Sequence, residues 1–245
     1  MKKHVSVWML LNRFTFWKLF LVLAIMCAAQ IILFQRVLIR ELHYAELDLS
    51  FVALEAILER SRIGWALAGG FIAYTAVLSG GGCAFGSMSG YTLRRLSVSE
   101  KTVFVWQSVH NALSYMLFWA SQVGISLLLC FWFENTAETH ITGQTVFLAY
   151  YRSDLFHALL PLDDIIIWIR NFLVCIGLGI AAAAFPYRQR EGKFGSEIVV
   201  LVCLSLVWFV SGLGNYQLDV LLLSGFIITA MEAIYHVFST EEDVL

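Results

Sequence analysis

Charged residues are scarce in this chain of 245 residues: they make up 14% of it, whereas hydrophobic residues make up 60%. Soluble domains are close to half apolar and about a quarter charged. A water-soluble fold of this length has too little interior to hide so many apolar side chains. The composition therefore predicts an integral membrane protein, and the net charge of −2 gives no indication of a nucleic-acid partner.

Signatures of metal binding, disulfide formation and ATP hydrolysis are also absent from the sequence. The five cysteines fall inside apolar runs without paired spacing, which is typical of small core residues. The histidines show no metal-ligand spacing, and no Walker-type phosphate loop occurs. The segment GSMSG at residues 86–90 invites comparison with an intramembrane serine hydrolase, but its spacing departs from G-x-S-G. We therefore expect no catalytic residue, no metal and no cofactor on this chain itself.

Six apolar runs are long enough to cross a bilayer, which requires about 20 residues of helix. They cover residues 14–39, 63–88, 103–133, 165–185, 196–213 and 220–238. The basic lead and the length of the first run are not typical of a removable signal peptide. Both termini are predicted to be cytoplasmic, because ten of the sixteen basic residues then lie inside. The predicted fold is all-α: a single domain forming a six-helix membrane bundle.

Three segments outside the runs are also expected to be ordered. The segment HVSVWMLLNR at residues 4–13 is typical of an interfacial helix on the inner leaflet. Residues 41–62 carry apolar side chains at three- and four-residue intervals, which predicts one amphipathic helix on the outer side. Its apolar positions are Leu47, Phe51, Leu54 and Leu58. Residues 134–162 are rich in aromatics, and we expect them to pack on the outer face.

Polar side chains line one face of the third apolar run. The members of this polar stripe are Gln107, His110, Asn111, Ser114, Ser121 and Gln122. At the helical spacing of 100° per residue they fall within about 120° of one another. The stripe is either the wall of a translocation path or a row of hydrogen bonds between helices, worth roughly 0.6 kcal/mol each. The sequence leaves both interpretations open.

Glycines at four-residue spacing predict a helix-packing seam at the end of the second run. They are Gly82, Gly86 and Gly90. Small residues at this spacing let helix backbones approach closely.

Ionisable residues inside the later runs need partners or access to water. Arg170 lies within the fourth run, where a charge at the bilayer centre costs roughly 3 kcal/mol. We expect it to snorkel outward, towards Asp163. Glu232 and His236 are spaced i, i+4 near the inner end of the last run and are interpreted as an interfacial pair.

The stretch GYTLRRLSVSEKT at residues 90–102 is predicted to be an inside loop between the second and third runs. Ser97 and Glu100 have the S-x-x-E form of a capping box, which predicts that the third helix begins at Ser97 and projects into the cytoplasm. The preceding TLRRL is basic and partly apolar. It has the form of a docking element, although the positive-inside rule alone gives arginines to any cytoplasmic loop.

The run GYTLRRLSVSEKTVFVWQSVHN, placed between spans two and three of a six-span chain, resembles the membrane subunit of ABC exporters of the type-2 class, including small permeases linked to lantibiotic immunity. The resemblance implies a bacterial plasma-membrane permease that pairs with a second or homologous copy. It implies that residues 91–101 dock on a separate cytoplasmic ATPase, which binds ATP and Mg. The implied docking residues are Tyr91, Leu93, Arg94, Arg95, Leu96, Ser97 and Glu100.

The chain departs from many members of that class in its outer segments. Only GNYQLD separates spans five and six, where those members carry re-entrant helices. The candidate residues of a translocation path are members of the polar stripe: Gln107, Asn111, Ser114, Ser121 and Gln122. A non-transporting scaffold or sensor that binds a cytoplasmic partner is the second hypothesis, and an intramembrane hydrolase using Ser89 and His236 is the third.

Overall fold

A computed structural model describes residues 2–48, 53–81, 98–136, 150–160, 165–190, 192–193, 195–210 and 216–239. Within these ranges the ordered elements are helices, and no strand occurs. The helices are α1 (Lys2–Asp48), α2 (Leu54–Ser61), α3 (Ile63–Gly80), α4 (Glu100–Thr136), α5 (Asp154–Leu159), α6 (Ile165–Arg190), α7 (Glu197–Val210) and α8 (Tyr216–Ser239). The predicted all-α class is confirmed.

Five helices in the described part of the chain are long and apolar enough to cross a membrane. The candidate spans are Ser6–Tyr44, Ile63–Gly80, Glu100–Thr136, Ile165–Arg190 and Val220–Ser239. Their outward surfaces carry large apolar side chains, such as Trp17 at 73% exposure and Ile165 at 74%. Exposure of such a continuous apolar surface is unfavourable in water but favourable in lipid. The fold is that of a helical membrane protein.

The predicted fifth span corresponds to α7, which is apolar but has only 14 residues. At 1.5 Å per residue it is about 21 Å long, which is shorter than the hydrocarbon core of about 30 Å.

Helix α1 runs parallel to α4 and antiparallel to α3. The Trp8 ring contacts the His110 ring at a centroid distance of 5.3 Å near the start of both α1 and α4. Further along, Gln30 Nε2 donates to Gln122 Oε1 at 2.8 Å. The end of α3 lies beside the beginning of α1, since a Cβ at Gly81 would meet a methyl group of the Thr15 side chain at 2.9 Å.

Helix α6 runs antiparallel to α4 and parallel to α8. The rings of Trp119 and Trp168 meet at 5.2 Å, near the middle of α4 and the start of α6. Phe104, at the start of α4, contacts Tyr187 near the end of α6. Tyr187 also donates to the Val237 carbonyl of α8 at 3.4 Å. The start of α1 and the end of α8 therefore lie at one end of the bundle, which we call the terminal end.

The terminal end is also held by an ion pair between consecutive helices. Arg188 of α6 pairs with Glu197 at the first turn of α7, and both side chains are largely buried. An acidic group in the first turn also interacts favourably with the helix dipole. In contrast, Glu232 and His236 are an exposed pair at 3.5 Å.

The prediction of a separate interfacial helix at residues 4–13 is wrong. Helix α1 is continuous over 47 residues, about 70 Å. No proline or glycine interrupts it. Val7 and Leu11 are buried in one cluster with Val103 of α4, so this stretch packs on the bundle.

The prediction of one amphipathic helix over residues 41–62 is also wrong in its bounds. Helix α1 continues to Asp48, and α2 covers only Leu54–Ser61. Its apolar face is confirmed where the structure describes it, because Leu54, Ile57 and Leu58 are buried. Phe51 and the side chain of Leu47 lie outside the described residues.

The predicted start of the third helix at Ser97 is wrong by three residues. Helix α4 begins at Glu100, and Ser99 caps it by accepting from the Thr102 N–H at 3.3 Å. The Ser99 carbonyl accepts from the Val103 N–H at 3.1 Å. Val98 and Ser99 precede the helix, and Ser97 lies outside the described residues. Burial of Val103 and Phe104 determines where the first turn begins, and the S-x-x-E pattern contains no information about this burial.

Candidate functional site

A cavity of about 520 Å³ lies between α3, α4 and α6, in the half of the bundle away from the terminal end. Ligand pockets commonly measure about 300–1,000 Å³. Its wall is mostly apolar, with aromatic residues contributed by α3 and α4. These are Trp65, Phe71, Tyr115, Phe118 and Trp119.

The polar groups inside the cavity are neutral. They are Gln122, Ser153 and Asn171. Asn171 donates to the Ala158 carbonyl at 2.9 Å, and Gln122 accepts from Gln30. Each amide therefore keeps hydrogen-bonding capacity beyond the bond it makes to a neighbouring element.

The rim of the cavity carries the charged residues of the wall, Glu59 and Arg62, at the junction of α2 and α3. Arg62 has φ 53°, in the left-handed region, and its N–H donates to the Glu59 carbonyl at the end of α2. A left-handed conformation in a residue other than glycine stores about 1–3 kcal/mol of strain and is common at functional sites.

Short segments close the cavity on the side of α5. Trp119 Nε1 donates to the Leu159 carbonyl at 3.0 Å, which holds α5 on α4. Tyr150 lies beside Ser126, with 3.1 Å between their hydroxyl oxygens. Burial raises the pKa of the Tyr150 hydroxyl to about 12, although the Ser126 hydrogen bond lowers it in part. This hydroxyl therefore stays protonated at neutral pH and takes part in the hydrogen bond.

The structure brings one member of the polar stripe to the cavity, Gln122. The hydroxyls of Ser114 and Ser121 donate to carbonyls of α4 itself, at 2.9 and 2.6 Å. The remaining members are buried nearer the terminal end: Gln107, His110 and Asn111.

Two buried amides of the stripe have unmet hydrogen-bonding atoms. Gln107 and Asn111 are 1% and 2% exposed. Among the residues that the structure describes, Gln107 Oε1 and Asn111 Nδ2 have no hydrogen-bond partner. A buried polar atom without a partner costs about 1–3 kcal/mol. This half of the bundle is therefore closed at an energetic cost.

Of the predicted docking residues, the structure describes Glu100, which is exposed in the first turn of α4. The other six, Tyr91 and Leu93–Ser97, lie outside the described residues, as do Gly82, Gly86 and Gly90. Arg170 is buried, with 6% exposure, so it lies in the interior of the bundle. Its predicted partner Asp163 is outside the described ranges.

A close helix contact that the sequence reasoning missed joins α4 and α6. A Cβ at Gly179 would lie 2.6 Å from the Ala112 nitrogen of α4. Two residues earlier, a Cβ at Gly177 would meet the Phe226 ring of α8 at 2.3 Å. The available signal was the small-residue run GLGIAAAA at residues 177–184.

No group of His, Cys, Asp and Glu suited to a metal ion occurs among the residues that the structure describes. Comparison with family models, curated proteins and solved structures finds no match to this chain. The fold is that of a helical membrane protein with an internal cavity.

Proposed function

We propose that this chain is the membrane-spanning permease subunit of an ATP-driven exporter of the ABC class, and that the cavity holds its substrate. One observation carries the proposal: α3 ends and α4 begins near the terminal end, on either side of residues 82–97, and the same two helices supply walls of the cavity in the opposite half. A force on that connection therefore acts on the helices that shape the cavity.

Side chains bridge α3 and α4, although the α3 backbone packs mainly on α1 and the α4 backbone mainly on α6. Tyr74 donates to the Ser114 carbonyl at 2.8 Å, and Tyr115 donates to the Thr75 hydroxyl at 2.9 Å. The Tyr74 and Phe118 rings meet at 5.0 Å. These contacts begin between the connection and the cavity and reach the cavity wall, to which Tyr115 and Phe118 belong. In the proposal a shift of one helix reaches the other through these side chains, because helices in a packed bundle move by small rigid displacements.

The unmet atoms of Gln107 and Asn111 support alternating access. In this conformation the cavity is formed in one half, and the amides are sealed in the other. Opening the terminal half would let both amides bond to water or substrate and recover part of their cost. In the proposal this is the second state, and nucleotide binding to the partner shifts the balance between the two states.

The terminal end is the cytoplasmic end in this proposal. The short apolar helix α7 is the fifth of six crossings, beside the five longer candidate spans. The ATPase, with its ATP and Mg, docks at residues 91–101. A second copy or a homologous permease completes the exporter in a bacterial plasma membrane. Basic residues on described helices near the terminal end fit this orientation: Arg13, Lys18, Lys101, Arg188 and Arg190.

The test is co-purification from the native membrane followed by an ATPase assay. We expect an ATPase subunit to accompany the wild-type chain and to be lost from the double variant Arg94→Glu, Arg95→Glu. The matched control is Arg36→Glu, Arg40→Glu, which reverses two exposed charges on α1 towards the cavity half. Purification of the chain without any ATPase would favour a non-transporting scaffold or sensor. Loss of cellular activity in Ser89→Ala would favour the hydrolase.

A further inference from the structure

We infer that the cavity binds a single-chain amphiphile with an anionic head group, taken laterally from the lipid leaflet around the cavity. The head lies on Arg62, and the chain lies among the aromatic residues of α3 and α4. This inference names the substrate class of the proposed function, and the bound amphiphile is a substrate only if that function is correct. Binding itself needs no ATPase and is measured without one.

The interior of the cavity favours an apolar ligand body. Trp65, Phe71, Phe118 and Trp119 form much of the wall, while the polar groups within are amides and a hydroxyl. A charged group placed there would lose its hydration without gaining a counter-ion from the described wall. The volume of about 520 Å³ admits a ligand of drug-like size.

The rim favours a negatively charged head. Two arginines in the same half of the bundle already have carboxylate partners: Arg60 pairs with Glu41 at 2.6 Å, and Arg152 pairs with Glu55 at 3.2 Å. Arg62 makes no such pair within the described residues, and its side chain is exposed beside the cavity. A phosphate or carboxylate gains a charge-assisted hydrogen bond from a guanidinium.

The second charge at the rim limits the charge of the ligand. Glu59 also lines the cavity, one turn before Arg62. Repulsion from this carboxylate disfavours a head with several negative charges. A head of low negative charge therefore fits the rim better than a polyphosphate does.

The position of the rim indicates entry from lipid. Arg62 directly precedes the candidate span Ile63–Gly80. Trp65, which lines the cavity, is 77% exposed on the outer surface of the bundle. Arginine and tryptophan at the end of a span belong to the interface between hydrocarbon and head groups. A lipid head group in the adjacent leaflet therefore lies at the level of Arg62.

The test uses the full chain in nanodiscs of unlabelled neutral lipid and measures quenching of tryptophan fluorescence. The probe is a lysophosphatidylglycerol with bromine atoms in the middle of its chain, whose phosphodiester head carries one negative charge. The comparison probe is the monoacylglycerol with the same brominated chain. We expect saturable quenching by both probes, with the anionic probe binding about tenfold more tightly. Arg62→Gln should remove that difference, and Arg62→Lys should retain it.

A second pair of variants tests the location. Ala68 lines the cavity on α3, whereas Ala73 is exposed on the same helix and does not line it. Ala68→Phe should abolish the saturable component, while Ala73→Phe should leave it unchanged. The inference is overturned if wild-type quenching does not saturate, if Ala68→Phe quenches normally, or if Arg62→Gln keeps the preference for phosphate. Saturable binding by a chain with which no ATPase co-purifies from the native membrane would instead overturn the proposed function alone.

Discussion

The close approach of α4 and α6 makes Gly179→Ala the most informative stability variant. The new Cβ would lie 2.6 Å from the Ala112 nitrogen and 2.7 Å from its Cα. Backbone atoms cannot rotate away as a side chain does, so the two helices must separate by roughly 1 Å along a tightly packed contact. Overpacking of this kind costs about 1–3 kcal/mol. We expect the melting temperature in detergent to fall by roughly 5 °C.

The assay is thermal unfolding of the purified chain followed by size-exclusion chromatography. The matched control is Gly124→Ala on α4, where a Cβ would meet nothing within 4 Å. We expect no loss of stability there, because alanine is the better helix former. Gly177→Ala should fall between the two, since its neighbour is the Phe226 side chain, which can turn. Equal stability of Gly179→Ala and Gly124→Ala would refute the packing argument.

Three further predictions concern local features of the bundle. Glu197→Gln should destabilise the protein by about 3 kcal/mol, because it leaves Arg188 buried without its carboxylate partner. Glu232→Gln at the exposed pair should have no measurable effect. Equal melting temperatures of these two variants would contradict this prediction. Arg62→Gly should stabilise the ligand-free chain by about 1 kcal/mol, because glycine adopts φ 53° without strain, and a lower melting temperature would contradict it. Ser99→Ala should cost about 1 kcal/mol by removing the cap of α4, and an unchanged melting temperature would show that the hydroxyl does not cap the helix.

The fold class could be predicted because composition and apolar run length report the solvent directly. The ends of the helices were harder to predict from the sequence. The apolar runs predicted a break in α1 near Arg13, where the first run begins. A charged side chain does not interrupt backbone hydrogen bonding, so the helix continues to Asp48. At α4 two serines, Ser97 and Ser99, could each serve as the cap. Burial of Val103 decides between them, and it depends on contacts with α1.

The candidate site was less predictable than the fold because it is assembled from distant parts of the chain. The cavity draws residues from Leu58 to Leu206, and its wall consists mostly of side chains that look like ordinary core residues. Gln122 could be found from the sequence, because it belongs to the polar stripe of the third apolar run. The rim residue Arg62 has no such signal, since its left-handed backbone is visible only in the structure.

The central claim is that nucleotide on the partner changes the cavity through α3 and α4. The most direct measurement is the labelling rate of a single cysteine at the cavity wall, Ala68→Cys, in the co-purified complex with the native cysteines replaced. The account predicts that a non-hydrolysable ATP analogue slows labelling at least about fivefold and leaves Ala73→Cys on the outer face of the same helix unchanged. An Ala68→Cys labelling rate that is the same with and without the nucleotide analogue would contradict the account.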